Sequence, residues 1–393
     1  MLKKQGERKR LITFLFFSIS LSIAIIQCTE QQVADVRGRQ YARRETCVQC
    51  HQDIAKSYLH NAHFNTSKAL HSPHTTDSMG IDSGTFVFNE KTKVGIERRS
   101  SGLYQVAYVN GENLKEERAD IVFGAGKSAY TFAFWYGNKL MQMPLNYLVP
   151  AHEWVNSPGF PSEQIYFGRA IITRCLECHS SFVQSKIISS ANFQLEEEFV
   201  KNSLIAGIDC QRCHGPAAQH VQFHQEHPTE KEAKYMVKYG ELSRSQKVDM
   251  CAVCHSGTNL KMLNSAFFFK PGDTISNLPE YTSYTGEDPD VHGKQKQLLI
   301  ASKCYQLSNL DCGTCHNIHG AQAPTLATYS QSCIGCHQDV SHAFLEKKAL
   351  AMVKENCIDC HMPVKASKDI GFQRSASKKK LPYKQRTHRI AIY

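Results

Sequence analysis

The 393-residue chain lacks several features that would assign it to a common class. Its apolar run from Leu11 to Ile26 has 16 residues, fewer than the roughly 20 that a membrane-spanning helix needs. No segment interleaves aromatic and basic residues as nucleic-acid recognition segments do, which argues against a nucleic-acid partner. The 16 cysteines are too few for a small disulfide scaffold. With 41% apolar and 21% charged residues, the composition predicts a globular protein.

The N-terminus has the layout of an export signal. Five basic side chains and one Glu lie within residues 1–10, and the apolar run follows them. We therefore predict that residues 1–27 are an export signal, with an uncleaved short anchor as one alternative. Cys28 stands where a lipoprotein signal places its lipidated cysteine, although Gln27 replaces the usual small residue. Lipidation and simple cleavage after Ala24 remain open, and both predict a periplasmic or cell-envelope protein, with an outer-membrane lipoprotein as one form.

One motif, Cys-x-x-Cys-His, is repeated seven times and uses 14 of the 16 cysteines. On a helical turn, cysteines three residues apart project to the same side and can bond both vinyl groups of one haem, while the next His binds the iron. Zinc ribbons also use paired cysteines but do not require the His. We therefore predict seven covalent haem c groups. The attaching cysteines are Cys47, Cys50, Cys175, Cys178, Cys210, Cys213, Cys251, Cys254, Cys312, Cys315, Cys333, Cys336, Cys357 and Cys360. The proximal iron ligands are His51, His179, His214, His255, His316, His337 and His361.

Twelve further histidines could supply the second axial ligand of each iron. Nine methionines are the competing ligands, several of them in apolar or loop contexts, so two-histidine ligation is favoured for most irons. His319 follows a proximal His by three residues and is expected to face a neighbouring haem. His220 follows Gly215 and Pro216, which turn the chain back after a motif. The predicted distal ligands are His63, His152, His220, His292, His319, His342 and His388.

The remaining segments suggest how the chain is divided. Residues 52–174 contain no cysteine, and short β-branched and aromatic runs bounded by Gly and Asn predict a small antiparallel β-unit there. We predict a first-haem segment at 28–79, a β-rich insert at 80–170 and a multihaem domain at 171–393. The predicted fold class is mainly α and irregular, organised around stacked haems, because about 31 residues per motif cannot bury a core around each haem. Cys304 lies outside the motifs and could pair with Cys28 or remain a buried thiol.

The motifs resemble those of multihaem cytochromes related to cytochrome c-554 and hydroxylamine oxidoreductase. The resemblance rests on His220 after Cys210 to His214, on Met362-Pro363 after the last motif, and on His388 in the late Arg386 to Arg389 segment. It covers about residues 41–75 and 165–393. It implies distal ligands supplied by neighbouring motifs and a late distal His. The group has four or eight haems, whereas seven motifs occur here, and none is the Cys-x-x-Cys-Lys of pentahaem nitrite reductases.

Two functions are compatible with the sequence. The first is an exported electron-transfer protein that passes electrons along stacked haems to redox partner proteins or from a quinol-side donor, with a lipid anchor as its link to a membrane surface. The second is an oxidoreductase acting on a small nitrogen or sulfur compound at one haem that lacks a distal ligand. The basic residues 365–393 are interpreted as a solvated tail that also neutralises propionates, with docking of an acidic partner as the alternative.

Overall fold

The computed structural model describes residues 34–70, 73–189, 196–257, 265–274, 289–320, 325–338, 342 and 355–393. The predicted export signal and Cys28 lie outside these residues. Within the described ranges, no helix is both long and apolar enough to cross a membrane. The described cysteines form no disulfide.

Strands occur throughout the described chain. An eight-stranded sheet has the order β1-β6-β7-β8-β9-β15-β16, and β10 pairs with β8. A four-stranded meander has the order β2-β3-β4-β5, and two small sheets join β11 with β14 and β12 with β13. Every named pairing is antiparallel. The strands are β1 Ser67–Ala69, β2 Gly84–Asn89, β3 Thr92–Arg99, β4 Gly102–Val109, β5 Glu112–Arg118, β6 Ile121–Phe123, β7 Ala129–Tyr136, β8 Lys139–Leu148, β9 Glu153–Asn156, β10 Ala170–Ile171, β11 Ser180–Phe182, β12 Ser185–Ser189, β13 Glu196–Phe199, β14 Ile205–Ala206, β15 Val364–Arg374 and β16 Lys380–Arg386.

The described helices are short, and six of the ten contain all or part of a Cys-x-x-Cys-His motif. We number them α1 Arg44–Cys50, α2 Gln52–Tyr58, α3 Thr173–His179, α4 Cys210–His214, α5 Ala218–Glu226, α6 Arg244–His255, α7 Gln295–Ile300, α8 Lys303–Gln306, α9 Leu326–Ile334 and α10 Cys357–His361. The fifth motif begins with a 3-10 turn at Cys312–Thr314. The longest of these helices, α6, has 12 residues, so helix packing alone cannot form a large core here.

The expectation of a mainly helical and irregular fold is wrong. The meander and the eight-stranded sheet extend well beyond a small β-unit, and residues 365–393, interpreted as a solvated tail, form most of the β15–β16 hairpin. The sequence signal is weak in these strands for a physical reason. Both β5 and β16 are edge strands rich in charged residues, which protects a sheet edge from further pairing but removes the apolar alternation that predicts a strand.

A conventional hydrophobic core lies between the meander and the eight-stranded sheet. Phe86, Val94 and Phe132 are fully buried in it, together with Tyr147 and Trp154. A second cluster joins the back of β6, β7 and β8 to the second motif, because Leu176 of α3 is buried against Ile121, Leu140 and Phe199. The sheet is therefore fixed to the motif-bearing part of the chain through the motif itself.

A buried glutamine forms hydrogen bonds with the backbone of β8 at a shift of register inside this core. Pro144 interrupts β8, where the pairing with β7 shifts register. The side chain of Gln105 accepts a hydrogen bond from the Leu145 N–H and donates one to the Leu145 carbonyl, both at 2.9 Å. Both backbone groups would otherwise be unpaired in an apolar core.

Replacing Gln105 by Leu should therefore destabilise the protein. The substitution leaves two buried backbone groups unpaired, at a cost of about 2–4 kcal/mol. Urea unfolding followed by circular dichroism measures this loss. Gln184→Leu, at an exposed position, should change stability by less than about 0.5 kcal/mol; equal effects of the two variants would contradict the assignment.

Candidate haem-binding array

Each motif lies on a helical turn, as the attachment of one haem by two cysteines requires. The backbone N–H of the histidine bonds to the carbonyl of the first cysteine, four residues earlier, in the first, fifth and sixth motifs, at 2.8–3.0 Å. The two cysteines are then three residues apart on a turn and project to the same side. This local geometry follows from the sequence spacing alone.

Three motifs begin with a capping residue that the motif analysis missed. Asp209, Asp311 and Asn356 each stand directly before the first cysteine, and each side chain accepts a hydrogen bond from the backbone N–H three residues on, at 2.9–3.1 Å. Asp and Asn are among the preferred N-cap residues. The signal was present in the sequence, since a capping residue immediately before a motif predicts where its helical turn starts.

The seven motifs surround one cavity of about 4000 Å³. Cysteine or histidine side chains from every motif line it. So do six of the seven predicted distal histidines: His63, His220, His292, His319, His342 and His388. Protein interiors are close-packed and contain few voids larger than a water molecule. A cavity of this size therefore has the dimensions of a site for several large groups.

Neighbouring motifs approach one another at their cysteines. Cys47 lies near Cys210, Cys178 near Cys254, Cys251 near Cys312, and Cys333 near Cys357. The fifth and sixth motifs are joined by Ser332, which donates to the carbonyl of Thr314 at 3.1 Å. Arg212 of the third motif donates to the carbonyl of Glu177 in the second at 3.2 Å. The motifs thus form one connected cluster.

Most proximal histidines face a second histidine across the cavity. The ring centroids are 6.3 Å apart for His51 and His220, 6.1 Å for His63 and His255, 5.7 Å for His214 and His319, 6.2 Å for His316 and His388, and 6.3 Å for His342 and His361. His292 lies close enough to His179 to lower its pKa. Two imidazoles bound to one metal at about 2 Å each have nitrogens roughly 4 Å and ring centres roughly 6 Å apart. The observed separations match this requirement.

The environment favours the neutral form of five of these imidazoles. Burial, reinforced by neighbouring histidines, lowers the pKa of His63, His179 and His388 to about 4. Burial also lowers the pKa of His214 and His255. A neutral imidazole is the form that binds a metal. These side chains are therefore in the ligating form at neutral pH.

Two predicted site residues are not part of such a pair. His152 directly precedes β9 and is exposed, with its Nδ1 3.3 Å from the Tyr147 hydroxyl and 3.9 Å from an Asp82 oxygen. It does not line the cavity. His337 lines the cavity, but no second histidine ring contacts it among the residues that the structure describes.

One histidine that the sequence analysis did not select lies in the same cavity. His224 follows His220 by one turn of α5, and their ring centroids are 4.6 Å apart. The four-residue spacing on a helix was the signal, because it puts both rings on one face. The His220 ring is oriented by a contact of 2.9 Å between its Nδ1 and the Lys234 carbonyl.

Buried ion pairs lie at the second and third motifs. Arg174 pairs with the buried Glu177 at 2.9 Å, and the other Glu177 oxygen accepts from the Ala266 N–H. The Arg37 guanidinium pairs with Asp35 and Asp209 at 2.9 and 2.7 Å, almost without exposure. Burial alone would lower the pKa of Arg37, but the two carboxylates raise it above its usual range. Asp209 thus both caps α4 and is held by Arg37.

The side chains fit covalent haem in number and in kind. The cavity is lined by paired thiols and by facing imidazoles, which are the groups that attach and ligate haem c. Zinc would need four ligands around one point. Within the described ranges, no three His, Cys, Asp or Glu side chains converge in that way. Cys304 also lines the cavity and forms no disulfide with a described cysteine, while its suggested partner Cys28 lies outside the described residues.

The class that these features define is that of multihaem c-type cytochromes, to which the chain shows weak homology. It is 25% identical over 173 residues to the C-type polyheme cytochrome OmcB of Geobacter sulfurreducens, an alignment covering 39% of this chain and 20% of that protein. It is 23% identical over 186 residues to the multiheme cytochrome MtrA of Shewanella baltica, covering 42% of this chain and 52% of that protein. No protein-family model matches the chain.

The fold is similar to that of a solved structure of the same class. The crystal structure of the outer cell wall cytochrome OcwA superposes with a TM-score of 0.52 at 15% identity, covering 89% of this chain and 79% of that one. The chain spans about half or less of the length of the curated relatives it matches. The likeness to OcwA shows the fold alone, whereas the curated relatives, as multihaem c-type cytochromes, imply covalently bound haem c. The closer relation to cytochrome c-554 and hydroxylamine oxidoreductase stays a prediction.

Replacing Asp209 by Ala should destabilise the array strongly. The variant loses the α4 cap and leaves the buried Arg37 with half of its counter-charge, at a cost of about 3–5 kcal/mol. Urea unfolding measures this loss of stability. Asp359→Ala is the matched control, because Asp359 also lies at a motif but pairs with Arg386 on the surface and should cost no more than about 1 kcal/mol. Similar losses in both variants would show that the buried pair is not important.

Proposed function

We propose that the protein is an exported cytochrome that carries seven haem c groups and passes electrons along them. The observation that supports this most directly is the close approach of cysteines from neighbouring motifs around one cavity. Haem c, when bound, supplies one-electron exchange between ferric and ferrous iron. Thioether bonds to these cysteines would keep neighbouring macrocycles close together, which short electron-transfer steps require.

The contacts between motifs suggest the order of the array. The first motif approaches the third, and the fourth approaches both the second and the fifth. The fifth, sixth and seventh then follow in sequence. The third and fourth meet at the Glu177 carbonyl, which accepts from Arg212 at 3.2 Å and from the Cys254 thiol at 3.6 Å. We propose a main line through motifs one, three, four, five, six and seven, with the second motif beside the fourth.

The paired histidines are our proposed axial ligands. In each pair, one histidine belongs to a motif and the other comes from a different segment of the chain. The proposed pairs are His51 with His220, His63 with His255, His179 with His292, His214 with His319, His316 with His388, and His342 with His361. His152 is not proposed as a ligand, because it is exposed outside the cavity.

We further propose that the sheets and the motif-bearing segments together form the exported unit. The basic N-terminus and apolar run support export, and similarity to an outer cell wall cytochrome supports a location in the cell envelope. The proposed partners are redox proteins or a quinol-side donor. A lipid on Cys28 would hold the protein at a membrane surface.

Haem counting tests the proposal. Purified protein should contain seven haems per chain by pyridine haemochrome assay, each resistant to acid extraction because it is covalently attached. Replacing both Cys357 and Cys360 by Ala should reduce the count to six, and the same change at Cys251 and Cys254 should do so as well. Replacing Cys304, outside the motifs, should leave the count at seven. A colourless protein containing zinc would overturn the proposal.

His337 gives the second candidate function a specific location. It is the motif histidine that lines the cavity with no second histidine against it among the described residues. An iron held there with an open position would bind a small nitrogen or sulfur compound.

Electron paramagnetic resonance separates the two functions. The enzyme predicts one high-spin ferric iron per chain, whose signal disappears on adding cyanide and is abolished in a Cys333→Ala, Cys336→Ala variant. Pure electron transfer predicts seven low-spin irons and no response to cyanide. Mass spectrometry of the variant, showing six haems, is the control for loss of the intended haem.

A further inference from the structure

Asn61 is a fully buried polar residue between two parts of the array. It follows α2 and precedes β1. Its side-chain oxygen accepts a hydrogen bond from the backbone N–H of His63 at 2.8 Å and lies 3.2 Å from the Nδ1 atom of the same histidine. Its side-chain nitrogen donates to the carbonyls of Ile318 and Gly320 at 3.1 and 2.6 Å. All the hydrogen-bonding groups of the Asn61 amide are thus engaged.

The two segments that Asn61 joins each carry a histidine of the array. His63 faces His255 of the fourth motif, and His319 faces His214 of the third. Asn61 reaches the carbonyls on both sides of His319, more than 250 residues away in the sequence. Ser57 of α2 adds a hydrogen bond to the His319 carbonyl at 2.9 Å. One short stretch after the first motif therefore holds the backbone at both histidines.

The contact with the His63 ring defines which nitrogen faces the cavity. The Asn61 oxygen can only accept, so His63 must donate from Nδ1–H to satisfy the 3.2 Å contact. The lone pair then lies on Nε2, the ring atom farther from the backbone. Metal-bound histidines commonly donate their other ring N–H to such a partner, which fixes both the tautomer and the orientation of the ring.

We propose that Asn61 is a positioning residue for two irons at once, those bound by His255 with His63 and by His214 with His319. The inference rests on the proposed function, because it needs haem in the array. Asn61 orients the His63 ring directly through Nδ1, and it positions His319 through the backbone on either side of it. Both irons depend on this one amide for their sixth ligand.

A related turn occurs at other proposed distal ligands, but with fewer contacts. The side-chain oxygen of Asn317 accepts from the His319 N–H at 3.1 Å, and that of Asp290 accepts from the His292 N–H at 2.7 Å. In each case an Asn or Asp two residues before the histidine fixes its backbone. Asn61 makes the same turn, and it also contacts the ring of its own histidine and the backbone on both sides of a second histidine.

The test uses the full holoprotein and its spin state. Asn61→Ala removes every contact of the amide, so a high-spin ferric signal should appear, amounting to as many as two irons per chain. Asn61→Asp keeps an acceptor for His63 but turns an oxygen towards the carbonyls of Ile318 and Gly320, so only the His319 iron should be affected. Asn317→Ala should resemble Asn61→Asp.

Redox titration of the same variants should show higher midpoint potentials for the affected irons, because a freed or less basic ligand stabilises ferric iron less.

Asn65→Ala is the matched control. Asn65 lies one turn further on, and its side chain donates only to the backbone carbonyls of Leu59 and Asn61. The Asn65→Ala substitution should leave the spin states of all irons unchanged. Haem content and circular dichroism verify that each variant has folded. If Asn61→Ala does not fold, the spin states of the milder variants Asn61→Asp and Asn317→Ala are measured in its place.

The possible failures are distinguishable. Wild-type protein without covalent haem would overturn the proposed function and this inference with it. His63→Ala and His319→Ala variants should each produce one high-spin iron. If they do so while folded Asn61→Ala, or the substitute pair, stays fully low-spin with unchanged potentials, the role of Asn61 is refuted and the proposed function stands. An effect of Asn65→Ala equal to that of Asn61→Ala would also refute it.

Discussion

The structure depends on the filling of one cavity. About 4000 Å³ of space is lined by side chains from all seven motifs, whereas folded proteins pack their interiors nearly as densely as organic crystals. Side chains that face an open space lose their dispersion contacts on that side. The motif-bearing segments are short helices and irregular turns that could not close over such a space alone. Their conformation makes physical sense as a shell around bound groups attached through the cysteines.

The interior between the β-sheets differs from the cavity because it is filled with side chains. Between the meander and the eight-stranded sheet the interior is made of side chains, with Phe86, Phe132 and Trp154 at its centre. Leu176, which lies between the two cysteines of the second motif, is fully buried in the neighbouring apolar cluster. The two kinds of interior therefore meet at this motif. A rigid sheet on one side gives the second motif a fixed position relative to the rest of the array.

The parts that could be predicted from the sequence are those determined locally. The cysteine spacing correctly predicts a helical turn at each motif, and the runs near β2, β3, β4, β7 and β8 have the residues typical of strands. The overall class was misjudged because β5, β15 and β16 owe their pairing to position in the sheet rather than to apolar alternation. Asn61 and the ion pair of Asp209 with Arg37 could not be recognised, since the partners lie far apart in the sequence.

Pairing between histidines was the hardest feature to foresee, and it has the widest consequence. In every observed pair the two rings come from different segments; His220 of α5 faces the first motif, and His388 near the C-terminus faces the fifth. A segment that contains one motif therefore cannot complete its own site. Metal binding contributes to folding free energy when the site forms only in the folded state. With ligands exchanged in this way, each iron would bind two distant segments together, so attachment at one motif favours the correct position of the next. The cross-supplied histidines would thus make the array assemble as a unit, although none of its described segments has a large core of its own.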